Sequence, residues 1–317
     1  MKPFLKRLFA GMGIGIGAAI PGVSGAAIAV IFKVYEDIIS AVNNFKKQFA
    51  YAIKVLIPIL LGIVLAVIPC IVLFSLAFEH LMFILISVFA GFLIGSFPGI
   101  TDEVKGIKPN NKQKIIIVIG ALFVLLLGVL SVLLGDKMNI QGAFENINSC
   151  WWLYLILIPV GVLAAVALTV PGLSGSLILL IIGFYRPLVD YVKLWASNII
   201  HGDFSHLGPL LGVIGSFALG CLIGVYLVSK IMSKLLAKHH DSTFFAIIGF
   251  ILGSIGVLYF NHDIFNYYLS WAGVTFENIN PIMPIYLEIP IGVVITITCA
   301  FLSYLMVRQQ RKASANN

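Results

Sequence analysis

Residues 21–25 read PGVSG and residues 171–175 read PGLSG. Each stretch interrupts a long apolar run with a proline and two glycines, residues that break a helix by removing an N–H donor and freeing the backbone. The surroundings make the interruption informative. Hydrophobic residues are 60% of the 317, charged residues only 10%, and mean hydropathy is +1.07, where a globular chain carries about 25% charged residues. Runs at 55–78, 81–98, 115–134, 151–170, 207–229, 243–260 and 285–307 each approach the roughly 20 residues that cross a bilayer. This composition predicts an all-α polytopic membrane protein and excludes a soluble nucleic-acid binder. The basic, then apolar, N-terminus has the look of a signal peptide. The return of its PG-x-SG core in mid-chain argues instead for a structural element.

The repeat extends beyond five residues. At an offset of 150, Pro21, Gly22, Ser24, Gly25 and Tyr35 align with Pro171, Gly172, Ser174, Gly175 and Tyr185. GFLIGS at 91–96 then matches GFILGS at 249–254, and KVLIPILLG at 54–62 resembles SHLGPLLG at 205–212. Three matches in one order predict an internal duplication. The expected organisation is a first repeat over 1–134, a connecting loop over 135–150, a second repeat over 151–307 and a basic tail over 308–317. Each half would be a PG-x-SG helical or re-entrant hairpin followed by three transmembrane helices. The arm before Pro21 reads as short and therefore re-entrant, whereas 151–170 is long enough to cross.

Charge sets the orientation. With hairpins that enter and leave on one side, and the N-terminus in the cytoplasm, all but three of the 20 Lys and Arg fall inside. Lys137, Arg186 and Lys193 alone fall outside, among seven acidic residues. Single-crossing segments would instead expose the lysine-rich loops at 46–54 and 105–114. Each half then makes an odd number of crossings, so the halves are inverted, the first hairpin opening to the cytoplasm and the second outward. Both chain ends would then lie in the cytoplasm. Inverted repeats with broken helices form a recurring transporter architecture.

The breaks themselves suggest anion sites. Helices restarting at Val23 and Leu173 would aim N–H groups and a positive dipole end into the break, with the Ser24 and Ser174 hydroxyls beside them. Gly25 and Gly175 would allow close approach. A tight turn capped by its own serine is the plain alternative. Lys33, in AVIFKVY, is either a ligand for the same anion or a snorkelling residue beside Glu36 and Asp37. Arg186 is either a fork for a phosphate headgroup or an interfacial anchor; Glu36 takes the matching place in the first half. Tyr35 and Tyr185 read as interface aromatics. Glu36 and Glu288 are candidate coupling residues, Glu288 being explained equally well by a shallow outer position.

Enzymatic alternatives have weaker support. GVSG and GLSG satisfy the GxSG pattern of rhomboid-type intramembrane serine proteases, but all six histidines fall in or beside loops, away from a serine at membrane depth. A lipid-phosphate phosphatase would need histidine-bearing motifs that this chain lacks. The four cysteines are scattered, and no ligand spacing suggests a metal or another cofactor.

GMGIGIGAAIPGVSGAAIAVIFKVYEDII and ALTVPGLSGSLILLIIGFYRPL resemble the two signatures of the bacterial polyprenyl-phosphate translocases, over nearly the whole chain. The first copy departs from that pattern at Ala26, Ala27 and Lys33, where the family has glycine, threonine and glycine. The resemblance implies transport of undecaprenyl phosphate, a lipid carrier, from the outer to the inner leaflet for cell-wall synthesis. It implies a phosphate site at Gly172, Ser174 and Arg186, passing the headgroup to Gly22, Ser24 and Lys33. The lipid and the bilayer are the expected partners, with proton or sodium coupling as a further expectation. A transporter of a small soluble anion and a structural, non-transporting role are the alternatives.

Overall fold

The structure, a computed structural model, describes residues 3–20, 28–29, 32–43, 47–138, 140–147, 149–169, 175–204, 207–276 and 279–315. Among these, the regular elements are helices. They are α1 (Pro3–Ala19), α2 (Tyr35–Asn43), α3 (Phe49–His80), α4 (Met82–Thr101), α5 (Asn111–Met138), α6 (Ile140–Glu145) and α7 (Trp152–Thr169). α8 (Gly175–Ile181), α9 (Tyr185–Ile200), α10 (Leu207–Leu258), α11 (His262–Trp271) and α12 (Ile285–Ala315) complete the chain. α10 is two spans joined at His239, whose backbone (φ −140°, ψ 45°) leaves the helical region. Among the described residues, six stretches are long and apolar enough to cross a bilayer: Phe49–His80, Met82–Val104, Asn111–Leu133, Leu207–Met232, Lys234–Trp271 and Ile285–Gln309. Their outward faces carry side chains such as Leu73, Ile119, Leu222 and Ile297, which stay exposed because lipid, not protein, solvates them. This is a multi-pass α-helical membrane protein.

The two breaks fall between corresponding helices. α1 has 17 residues and ends at Ala19; α7 has 18 and ends at Thr169. The first arm is therefore as long as the second, because the helix continues through the basic residues Lys6 and Arg7 to Pro3 instead of starting with the apolar run. The returning helix α8 has seven residues, a rise of about 10 Å against a hydrocarbon thickness of about 30 Å. The PG-x-SG residues themselves, 21–25 and 171–174, lie outside the described residues.

Packing is governed by glycines set against carbonyls, the way helices approach closely where lipid supplies no hydrophobic drive. Gly62 of α3 abuts Leu8 of α1, and Gly220 of α10 abuts Ile158 of α7; Gly11 faces Ile59, and Gly161 faces Phe217. The same contact thus recurs at offsets of 150 in the arms and 158 in the following spans. That register differs from the match of 54–62 with 205–212, which pairs prolines and glycines across a shorter offset. The reason is local: α9 has 16 residues where α2 has nine, so the second half gains length before its first span. A second pair of contacts joins the halves. Gly91 and Gly95 of α4 abut Thr296 and Ala300 of α12, while Gly249 and Gly253 of α10 abut Ile117 and Ala121 of α5. Each half's second span therefore packs on the other half's third.

Candidate functional site

After each break the chain makes the same tight turn. The Val34 amide donates to the Ala29 carbonyl at 2.9 Å, and the Phe184 amide to the Leu179 carbonyl at 2.9 Å. Both turns need a left-handed residue, supplied by Lys33 (φ 55°) in one and Gly183 (φ 78°) in the other. Glycine takes that conformation freely; for lysine it costs about 1–2 kcal/mol. Lys33 is exposed. The tyrosines that follow differ. Tyr35 is exposed, in keeping with an interfacial aromatic, but Tyr185 is buried against the edges of Phe78 and Phe89. Its hydroxyl donates to the carbonyl of Ala19 at 2.9 Å, tying the second half's turn to the end of α1. The interfacial expectation fails for Tyr185 because Phe78 and Phe89, on α3 and α4, close over its ring.

Arg186 follows on α9. It is 7% exposed, so it is no interfacial anchor; burial of a guanidinium requires partners. Its Nε lies 3.6 Å from Oδ2 of Asp190, one turn along the same helix. Oδ1 of Asp190 accepts a 2.6 Å hydrogen bond from the Ser75 hydroxyl of α3, and the Lys193 ammonium donates to the Ser75 oxygen at 3.0 Å. Burial pushes the Asp190 carboxyl up from its ordinary value, against the lowering effects of Ser75, Arg186 and Lys193. These groups, with Glu79 and Glu145, line a cavity of about 350 Å³ between α3, α6 and α9. A fork-shaped donor and a lysine at one end of a cavity this size suit a phosphate headgroup. The carboxylates beside them make it a mixed-charge site.

Sequence reading picked out Arg186 without its partners. Asp190 and Lys193 stand at i+4 and i+7 from Arg186, a helix-face spacing that was available to it. Ser75 is 115 residues from Asp190 and only the packing of α3 on α9 brings it there.

The remaining candidates are dispersed. Gly175 opens α8; Gly22, Ser24, Gly25, Gly172 and Ser174 lie outside the described residues. Glu36 is exposed in the first turn of α2, next to Asp37, which pairs with Arg7 at 3.1 Å. Glu288 stands in the first turn of α12, at the end of the last span, and is fully buried. Tyr267 donates to its Oε2 at 2.9 Å, and the Ile84 amide to its Oε1 at 3.4 Å, so it closes the N-terminus of α4, where orphan N–H groups need acceptors. Among the described residues, no group of three or more His, Cys, Asp or Glu could hold a metal ion.

The chain can now be set beside known proteins. Over 250 residues it is 29% identical to a polyprenyl-phosphate transporter of Staphylococcus aureus, covering 78% of this chain and 84% of that protein. Over 267 residues it is 25% identical to a polyprenyl-phosphate transporter of Vibrio cholerae, covering 80% and 76%. No solved structure matches it significantly. Residues 14–276, from within α1 to just beyond α11, match the model of the undecaprenyl phosphate translocase-like proteins, and the chain belongs to that family.

Proposed function

We propose that this protein is a polyprenyl-phosphate transporter of the bacterial cytoplasmic membrane, and that it returns undecaprenyl phosphate from the outer to the inner leaflet. It acts as a transporter and performs no chemistry on the lipid. The observation that carries this reading is the burial of Arg186, with Lys193 beside it, in a cavity at the mouth of the second hairpin of a family member. The phosphate is the part of the lipid that the bilayer opposes, since a charge at its centre is costly. The isoprenoid tail can stay in hydrocarbon throughout. The protein therefore has to shield one headgroup and leave a lateral path for the tail.

In this reading the headgroup enters from outside at Arg186 and moves to Ser174 and the backbone of Gly172 and Gly175. It passes to Gly22, Ser24 and Gly25 in the opposed half and leaves inward past Lys33. The two halves, 1–134 and 151–307, form an inverted repeat, and both termini are cytoplasmic. The recurring glycine contacts support the repeat, since one packing scheme is used twice with exchanged partners. The strained turn at Lys33 supports a role for its ammonium, because backbone strain persists where the side chain is needed. Protons or sodium supply the drive; Glu288, buried at the end of a span, and Glu36 are the carboxylates to examine.

The test is a sided flipping assay in proteoliposomes with labelled undecaprenyl phosphate. Wild type should accelerate flipping, and Arg186→Ala should lower the rate at least about tenfold, the scale of one lost bidentate charge contact. Ser174→Ala should lower it too. No acceleration by wild type would remove the lipid-carrier reading. Competition by inorganic phosphate at the lipid's own affinity would favour a soluble anion as substrate.

A further inference from the structure

The Arg186 cavity contains a charge conflict. Two cations, Arg186 and Lys193, share it with three carboxylates, Glu79, Glu145 and Asp190. A fourth, Asp263 of α11, is within electrostatic reach of both Arg186 and Asp190, and its buried Oδ2 has no hydrogen-bond partner among the described residues. A phosphate monoester adds about −1.5 to −2 charges. Like charges crowded into a poorly solvated site repel strongly. The headgroup is therefore unwelcome unless one carboxylate gives up its charge or its cation.

Asp190 is the carboxylate placed to do both. It lies between Arg186, whose Nε is 3.6 Å from one oxygen, and Ser75, whose hydroxyl is 2.6 Å from the other. Ser75 in turn receives Lys193 at 3.0 Å, so both cations are committed, directly or through one hydroxyl, to the same carboxylate. Asp190 thus occupies the side of Arg186 and the Ser75 hydroxyl that an incoming anion would compete for. The groups facing it are Arg186 and Lys193 on its own helix, Ser75 and Glu79 on α3, Glu145 on α6 and Asp263 on α11.

We propose that Asp190 is a resident counter-anion that holds Arg186 and Lys193 in the empty protein, yields them to the phosphate by taking a proton, and reclaims them when the phosphate leaves. This rests on the reading of Arg186 as a headgroup ligand. The balance is one proton from the outer aqueous phase onto the Asp190 carboxylate as the headgroup enters, and one proton lost from that carboxyl on release. Burial favours the neutral carboxyl and so lowers the cost of that exchange. Asp190 is thus a positioning residue that sets both affinity and release.

Full-length protein in lipid nanodiscs, titrated with farnesyl phosphate from about pH 5.5 to about pH 8.5, tests the proposal. As pH falls, Asp190 gains its proton and lets go of Arg186, so wild-type binding should tighten on acidification. Asp190→Asn, which cannot hold the cations as an anion, should bind about tenfold tighter than wild type at about pH 8, and the two curves should converge in acid. The ligand's own second ionisation, near pH 6, moves both proteins alike and cancels in their ratio. At saturating lipid, Asp190→Asn should flip more slowly, since nothing reclaims the cations. Ser75→Ala keeps the carboxylate but removes its hydrogen bond. It should show the same tightening by a smaller factor, and it decides the matter if the Asn variant does not fold. A ratio of one at every pH, or weaker binding by both variants, overturns the proposal. Arg186→Ala separates the two ideas: unchanged binding there sinks the site itself, whereas lost binding with an unaltered Asp190→Asn sinks only the counter-anion.

Discussion

The turn at 32–35 and the turn at 182–185 share one backbone and have opposite surroundings. Both close with the same hydrogen bond, from an amide to the carbonyl five residues before it, and both use a left-handed residue two positions before a tyrosine. In the first half the tyrosine and the next residue, Glu36, are exposed. In the second, Tyr185 and Arg186 are buried. The second region is also the longer one. α9 continues for seven residues more than α2, and α11 with the segment after it lengthens the connection between the second half's last two spans. Asp190 and Lys193 stand at the places of Ser40 and Asn43 in α2, so of the charged groups only Asp263, on α11, belongs to the added length. The two turns thus share a backbone, and the charged cavity lies beside the second of them.

The largest effects should come from breaking the recurring glycine contacts. A side chain at Gly62 would run into the Leu8 carbonyl, and one at Gly220 into the Ile158 carbonyl, backbone atoms that cannot move aside. Gly62→Val and Gly220→Val should each cost about 3 kcal/mol or more, read as a matched fall in thermal stability in detergent. A large loss for one and none for the other would show that the two helix pairs are not equivalent.

These contacts also mark how far the sequence could be read. The spans were legible because apolar length is a physical requirement of the bilayer, and the two interruptions stood out because PG-x-SG is rare inside such a run. The register of the first spans was not. Among leucine, isoleucine and glycine many short matches are equally good, and the pairing of Gly62 with Gly220 is set by which carbonyl each glycine meets. Arg186 stood out as the cation after the repeated tyrosine, yet the cavity it lines is shared with Phe144, Ser75 and Glu79, which sequence spacing does not connect to it. The burial of Tyr185 was hidden for the same reason, since Phe78 and Phe89 reach it from other helices.

A smaller effect should separate the two arginines. Arg7 pairs with Asp37 at 3.1 Å across 30 residues, but Asp37 is well exposed and water screens the pair. Exposed pairs are worth about 0–1 kcal/mol. Arg7→Ala should leave stability within about 1 kcal/mol and flipping within about twofold, against the tenfold expected for Arg186→Ala. If Arg7→Ala stops flipping as Arg186→Ala does, the first half holds an equivalent charged site and the asymmetry described above is not functional.

The smallest effect is the most discriminating, because the left-handed position is lysine in one turn and glycine in the other. Gly183 has open space around it, its nearest neighbour to an added Cβ being the Ser131 hydroxyl at 3.8 Å. Gly183→Ala therefore meets only the conformational penalty of a positive φ and should destabilise by about 1 kcal/mol. Lys33→Gly runs the other way. It relieves about 1–2 kcal/mol of strain but gives the unfolded chain extra freedom worth about 0.5–1 kcal/mol, for a net gain of about 0.5 kcal/mol. A stabler protein that flips lipid more slowly would show that the lysine is kept for its charge on the inward side, despite the backbone it has to adopt. A stabler protein with an unchanged rate would leave Lys33 a tolerated substitution at a glycine position, and would place the work of the site wholly in the second half.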